Sequence, residues 1–244
     1  MSANIMVRGR AVHGVDIGIM MLETDFPRPV GDVANGMTFA FPIHYEIAFG
    51  ATPPQVVDHA AEGLLDRFVE AGQRLLKRGA RALSTSGGLL AVFQDELTKR
   101  LNVPIATSSL LQVGMILKVL PTDQTVGLVT INGSSMDERH FNGAGISEQD
   151  RNRLVVIGME DSKHFYPVVV GEDGPLDVER AVEEIVAACV AAIECNPSIR
   201  GFVFECTNLP PASNAVREVT GFPVWDSTTL INWLHGGVTG SSGR

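Results

Sequence analysis

The sequence predicts an α/β protein built from two pseudo-symmetric halves, each a parallel sheet flanked by helices, with a cleft between them. Short apolar runs alternate with amphipathic helical segments, the pattern of parallel βαβ units. The chain also repeats itself: a shift of 119 places Leu83 on Phe202, Val103-Pro104 on Phe222-Pro223, Ser108 on Ser227 and Leu111 on Leu230. Gly18 and Gly127, each inside an apolar first strand, match at the nearby shift of 109. Polar, glycine-containing turns follow the strands, at the ends where open α/β sheets bind ligands. We assign 1–120 to the first half and 121–226 to the second, and expect a helix over 227–237 to pack back on the first.

In chain order, Val15–Leu22 reads as a buried strand. Glu23–Ala51 carries Pro, Gly and Phe with no helical period, so a packed lid or pocket wall is expected there. Apolar residues at helical spacing (Val57, Ala60, Ala61, Leu64, Leu65, Phe68, Leu75, Leu76) predict a helix over Pro53–Arg78, ended by Gly79. A strand at Ala80–Ser86, a helix at Leu89–Leu101 and a strand at Pro104–Thr107 follow. Ser108 and Ser109 can cap a helix through Leu110–Leu120.

The second half predicts strands at Thr125–Ile131 and Arg153–Met159, a helix at Ser134–Asn142 and a polar loop over Glu160–Pro175. Asp177–Glu194 is amphipathic, with Val178, Ala181, Ile185, Ala188, Cys189 and Ala192 on one face. The strand Gly201–Phe204, a helix to Val219, a strand at Pro223–Trp225 and a helix at Ser227–Leu234, ending at Gly236-Gly237, complete the chain.

At 244 residues and 45% hydrophobic content the chain is long enough for real cores. A formal net charge of −9 argues against nucleic-acid and anionic-membrane partners. Cys189, Cys195 and Cys206 form neither a CxxC pair nor an even framework, which argues against zinc knuckles and disulfide scaffolds. The apolar stretch Val15–Leu22 is short and runs into Glu23 and Asp25 without a small-residue cleavage site, so it reads as a strand rather than a leader. These features lead us to expect a cytoplasmic protein.

The chemistry concentrates in Gly201-Phe-Val-Phe-Glu-Cys-Thr-Asn-Leu-Pro-Pro211. The apolar run stops at Glu205, and two prolines stand where a helix would start. Cys206 would therefore sit at a strand tip before a helix N-terminus, which favours a thiolate. The repeat places Gly87 at the equivalent position.

Leu83-Ser-Thr-Ser-Gly-Gly-Leu-Leu90 with Phe93-Gln94, Ser108-Ser-Leu-Leu-Gln112, Glu205-Cys-Thr-Asn-Leu-Pro-Pro211 and Gly221-Phe-Pro-Val-Trp-Asp226 resemble the aspartate/glutamate racemase superfamily. The resemblance spans Ile17 to Gly237, and Asp25–Gly50 is similar to its dimethylsulfoniopropionate-lyase branch. It implies two flavodoxin-like halves, an active site between them, no cofactor or metal, a small carboxylate substrate and a homo-oligomer. In the racemases two cysteines face the α-carbon from opposite sides. Here Cys206 matches the second and Gly87 stands at the first, a one-cysteine pattern shared with arylmalonate decarboxylase.

The resemblance therefore implies one-base chemistry, with Cys206 as general acid/base. The alternatives are a racemase that has lost a cysteine, a decarboxylase and a non-catalytic carboxylate binder. Turns carrying Ser86, Gly88, Thr130, Asn132, Thr207 and Asn208 are expected to hold the carboxylate. Asp25, beside Thr24, is a further candidate contact. Phe26, Phe39, Phe41, His44 and Tyr45 are candidates for the pocket wall, with ordinary loop packing as the alternative, and Glu205 is expected to cap, pair or tune the thiol. Asp226 and Trp225 would support the cleft from behind, and the five remaining histidines show no ligand spacing.

Overall fold

The computed structural model describes residues 10–59, 61–171 and 174–239. Residues 1–9 and Ala60, on which parts of the leader and helix readings fall, lie outside them. The first half runs β1 (Ile17–Met21), β2 (Ile43–Ile47), α1 (Pro53–Val57), α2 (Leu65–Arg78), β3 (Ala82–Thr85), α3 (Gln94–Leu101), β4 (Ile105–Ala106) and α4 (Val113–Val119). The second runs β5 (Thr125–Thr130), α5 (Glu138–Gly143), α6 (Glu148–Arg151), β6 (Leu154–Gly158), α7 (Phe165–Gly171), α8 (Val178–Cys195), β7 (Ile199–Phe204), α9 (Ser213–Thr220), β8 (Val224–Trp225) and α10 (Ser227–Thr239). Two wholly parallel sheets result, ordered β2-β1-β3-β4 and β6-β5-β7-β8.

The internal repeat has a physical basis. Gly18 pairs with Leu83 across β1 and β3, and Gly127 pairs with Phe202 across β5 and β7. A Cβ on Gly18 would lie 2.8 Å from the Leu83 side chain, and one on Gly127 would lie 2.6 Å from the Phe202 ring. Each glycine makes room for the large side chain beside it. Likewise Leu83 N–H donates to the Pro104 carbonyl at 3.0 Å, and Phe202 N–H donates to the Pro223 carbonyl at 2.9 Å.

The inner strands β1, β3, β5 and β7 are buried on both faces, which explains their continuous apolar runs. Met20 and Leu83 pack against Phe68 and Leu75 of α2, whereas Ile17, Ile19, Met21 and Ala82 face Leu230, Ile231 and Leu234 of α10. In the second sheet Val129, Phe202 and Phe204 join Ile185 and Cys189 of α8 in one cluster. Val126, Leu128 and Val203 join Ile116 and Leu117 of α4 in another. Thus α10 lies on the first sheet.

Several elements depart from expectation. The helix over 53–78 breaks into α1 and α2, because Ala61 (φ 59°) and Gly63 (φ 75°) turn the chain left-handed. Both pieces bury apolar residues in the same core, so the helical spacing survives the break. The segment 160–175 contains α7, whose Phe165, Val168 and Val169 are buried. The irregular segment 23–51 contains β2, the edge strand of the first sheet. Finally, α10 continues through Gly236-Gly237 to Thr239.

Candidate active site

Gly87 and Cys206 each stand two residues beyond their strands, β3 and β7. The Gly87 carbonyl accepts from Leu90 N–H at 3.1 Å, and the Cys206 carbonyl accepts from Leu209 N–H at 3.2 Å. The two strand ends are tied together: Thr207 Oγ1 donates to the Ser86 carbonyl at 2.7 Å, and Ser109 Oγ donates to the Phe204 carbonyl at 2.6 Å. A Cβ on Gly88 would overlap the Glu205 carbonyl oxygen and carboxylate, so glycine is required there by the close approach of the two halves.

Between these turns lies a cavity with ≈ 460 Å³ of empty space, part of it open to solvent. Leu22, Phe26, Val56, Leu89, Ile131 and Val169 form its apolar wall. Its polar lining comprises Thr24, Arg28, Ser86, Glu205, Cys206, Thr207 and Asn208, with Gly87 and Gly88. Among the described residues, the backbone amides of Cys206 and Thr207 donate to no backbone acceptor, and the Asn208 amide bears on the Cys206 sulfur. Such unpaired donors suit an anion.

Cys206 is 7% exposed. Burial, and secondarily the Glu205 charge, raise its pKa above the ordinary thiol value, which works against the expected thiolate. The helix-terminus effect is weak here because only a 3-10 turn, Pro210–Ala212, follows before α9. The thiol donates to Asn208 Oδ1 at 3.5 Å. Glu205 is moved from 4.5 to about 7, mainly by burial and against the hydrogen bond from Thr130 Oγ1 at 2.7 Å. Its Oε1 has no partner.

Of the expected contacts, Ser86, Gly87, Gly88, Cys206, Thr207 and Asn208 meet at the cavity. Thr130 lies behind it, holding Glu205. Asn132 lines a separate groove with Asp137 and Arg139, and its Oδ1 caps the next turn by accepting from Ser134 N–H at 2.9 Å. Asp25 is exposed and not part of the lining. Tyr45 pairs with Ile19 and packs on the α10 side of the sheet, its hydroxyl donating to the Val33 carbonyl at 3.1 Å. Phe39 and Phe41 join it there, Phe41 stacking on His235 at 3.6 Å, and His44 also lies outside the lining. Asp226 lies behind the cleft, accepting from Ser213 Oγ and Thr228 Oγ1 at 2.6 Å.

Arg28 and Asp32 were not singled out from sequence. Arg28 reaches Asp32 at 2.9 Å and Thr24 at 2.6 Å, and stacks over Phe26 at 4.3 Å. No local pattern marks the pair, because 28–32 is not helical and the two meet only through the fold of the loop. Cys189 is buried and pushed up to about 12, and Cys195 is exposed away from the cavity.

No family model matches the chain. It is 30% identical over 224 residues to dimethylsulfoniopropionate lyase 3 of Emiliania huxleyi (strain CCMP1516), covering 88% of this chain and 58% of that protein. The chain thus spans less than two thirds of that relative. Its fold matches unliganded arylmalonate decarboxylase, with a TM-score of 0.56 and 19% identity over 94% of this chain and 95% of the other. Allantoin racemase from Pseudomonas fluorescens gives a TM-score of 0.55 and 18% identity over 91% and 90%. The chain is thus similar in sequence to a dimethylsulfoniopropionate lyase and shares its fold with a decarboxylase and a racemase. Among the described residues no helix is long and apolar enough to cross a membrane, and no three His, Cys, Asp or Glu side chains converge as metal ligands.

Proposed function

We propose that this chain is a member of the aspartate/glutamate racemase superfamily and a cofactor-independent lyase that breaks a bond at or beside the α-carbon of a small carboxylic acid through an enediolate. The observation that carries this reading is Cys206, a buried thiol at the polar end of an apolar cavity, with only Gly87 at the equivalent position of the other half. An enediolate needs donors aimed at its oxygens. Arg28, the amides of Cys206 and Thr207, and the Ser86–Gly88 turn are suited to that task, while Leu22, Phe26 and Val56 receive the substrate's body. A held thiol favours proton delivery: S–H gives its proton to the α-carbon, sulfur keeps the electron pair, and solvent later reprotonates it. Inversion would need an acid–base group on the opposite face, and Gly87 has none.

For a malonate-type substrate, loss of carbon dioxide would leave the enediolate that Cys206 protonates. The lyase relative favours a second reading, β-elimination. There the Cys206 thiolate would take an α-proton while a β-sulfonium leaves with the electron pair of its C–S bond. Dimethyl sulfide release from dimethylsulfoniopropionate and carbon dioxide release from aryl- and alkylmalonates test the pair. Whichever reaction proceeds should fall by about 10²–10⁴-fold in Cys206→Ala, the usual contribution of a positioned acid or base. Undiminished turnover in Cys206→Ala would overturn the assignment.

A further inference from the structure

We propose that Asp32, on a loop of the first half, is a positioning residue that sets Cys206 as a proton donor by fixing which end of the Asn208 amide faces the thiol. This rests on the reading of Cys206 as the proton-handling group. Asp32 is 1% exposed. Its Oδ1 accepts from Arg28 at 2.9 Å and from Ala34 N–H at 2.8 Å, and its Oδ2 accepts from Asn208 Nδ2 at 2.6 Å. Paired with Arg28, the carboxylate presents acceptors only, so the NH₂ end of Asn208 must turn toward it. That leaves Asn208 Oδ1, an acceptor, facing Cys206 Sγ at 3.5 Å. A thiol can donate to that oxygen, whereas a thiolate would meet a lone pair, so the hydrogen bond favours the protonated form. The loop is seated firmly, since Gly31 (φ 107°) would place a Cβ 3.0 Å from the Pro211 backbone.

Three charged groups bear on Cys206: Glu205 and Asp32, which oppose ionisation, and Arg28, which favours it. Exchanging Asp32 for Asn changes more than a charge. The two donors at the Oδ1 position, Arg28 and Ala34 N–H, demand that the new amide oxygen sit there. Its NH₂ then faces Asn208, which must flip and present Nδ2 to the sulfur. A thiolate now gains a donor.

The test is alkylation of Cys206 by iodoacetamide, followed by mass spectrometry across pH, with exposed Cys195 as the internal reference. It needs no substrate, so it fails or succeeds independently of the lyase reading. In Asp32→Asn, Cys206 should react about tenfold faster near neutral pH, with its midpoint lowered by about one unit and Cys195 unchanged. Adding Asn208→Ala should remove the part of the gain that exceeds the loss of the Asp32 charge, leaving a smaller shift. A folded Asp32→Asn protein with an unshifted Cys206 profile overturns the proposal. If that variant does not fold, infrared difference spectra of the wild type against Cys206→Ser decide: a hydrogen-bonded S–H stretch persisting above neutral pH supports it, and no such band overturns it.

Discussion

The turns after β3 and β7 occupy equivalent places and close with the same hydrogen bond, yet they are built for opposite purposes. After β7, Glu205 and Cys206 bring two protonatable groups out of water. After β3, Gly87 and Gly88 bring none, and the two glycines differ from each other. A Cβ on Gly87 would meet only the Leu22 and Leu90 side chains, at 3.2–3.4 Å, on an extended backbone (φ −144°). A Cβ on Gly88 would overlap the Glu205 backbone. Gly88 is a steric necessity where the halves meet, whereas sterics alone do not demand a glycine at position 87. On the proposed function, one half carries the reactive group while the other supplies shape.

This contrast breaks most visibly at Gly88. Gly88→Ala should cost about 3 kcal/mol or more, since backbone and not a flexible side chain must move. Gly87→Ala should stay within about 1 kcal/mol of wild type, because no positive φ is relaxed and two leucines can give. Denaturant unfolding of the two variants checks the pair, and equal costs would contradict the distinction.

The Glu205 side of the comparison predicts a pH dependence. Burial moves its carboxyl from 4.5 to about 7. A carboxyl raised in the folded state disfavours folding once it must ionise. The stabilising state is therefore present below pH 4.5 and lost as pH rises through about 7. At about 1.4 kcal/mol per unit, the loss is at most about 3.5 kcal/mol. Glu205→Gln should flatten this slope between pH 5 and about 8, as read from unfolding free energies, whereas an unchanged slope would place the titration elsewhere.

The fold was readable where unusual residues had a packing reason. Gly18, Gly127, Pro104 and Pro223 sit at positions that dictate close strand approach, so their recurrence exposed the repeat. By contrast β2 escaped notice because Pro, Gly and Phe surround Ile43–Ile47 and mask its short pattern. The α7 helix is a seven-residue segment with Pro167 inside it. The part of the site on the strand-end turns was legible because it is local in sequence. Arg28 and Asp32 reach it only by tertiary folding of a loop, and the same folding takes Tyr45 to the far face. Burial and the Glu205 charge, neither of them visible in the local sequence pattern, work against the expected thiolate.

The central claim is that Cys206 works one face of the α-carbon with nothing opposite. Turnover in deuterium oxide, followed by NMR of the product or recovered carboxylate, tests it most directly in wild type, Cys206→Ala and Gly87→Cys. The account predicts α-deuterium on a single face in wild type and loss of labelling in Cys206→Ala. In Gly87→Cys, with Leu22 and Leu90 giving by a few tenths of an ångström to admit the side chain, label should appear on both faces. Label on both faces of the wild-type product, or undiminished labelling without Cys206, would contradict it.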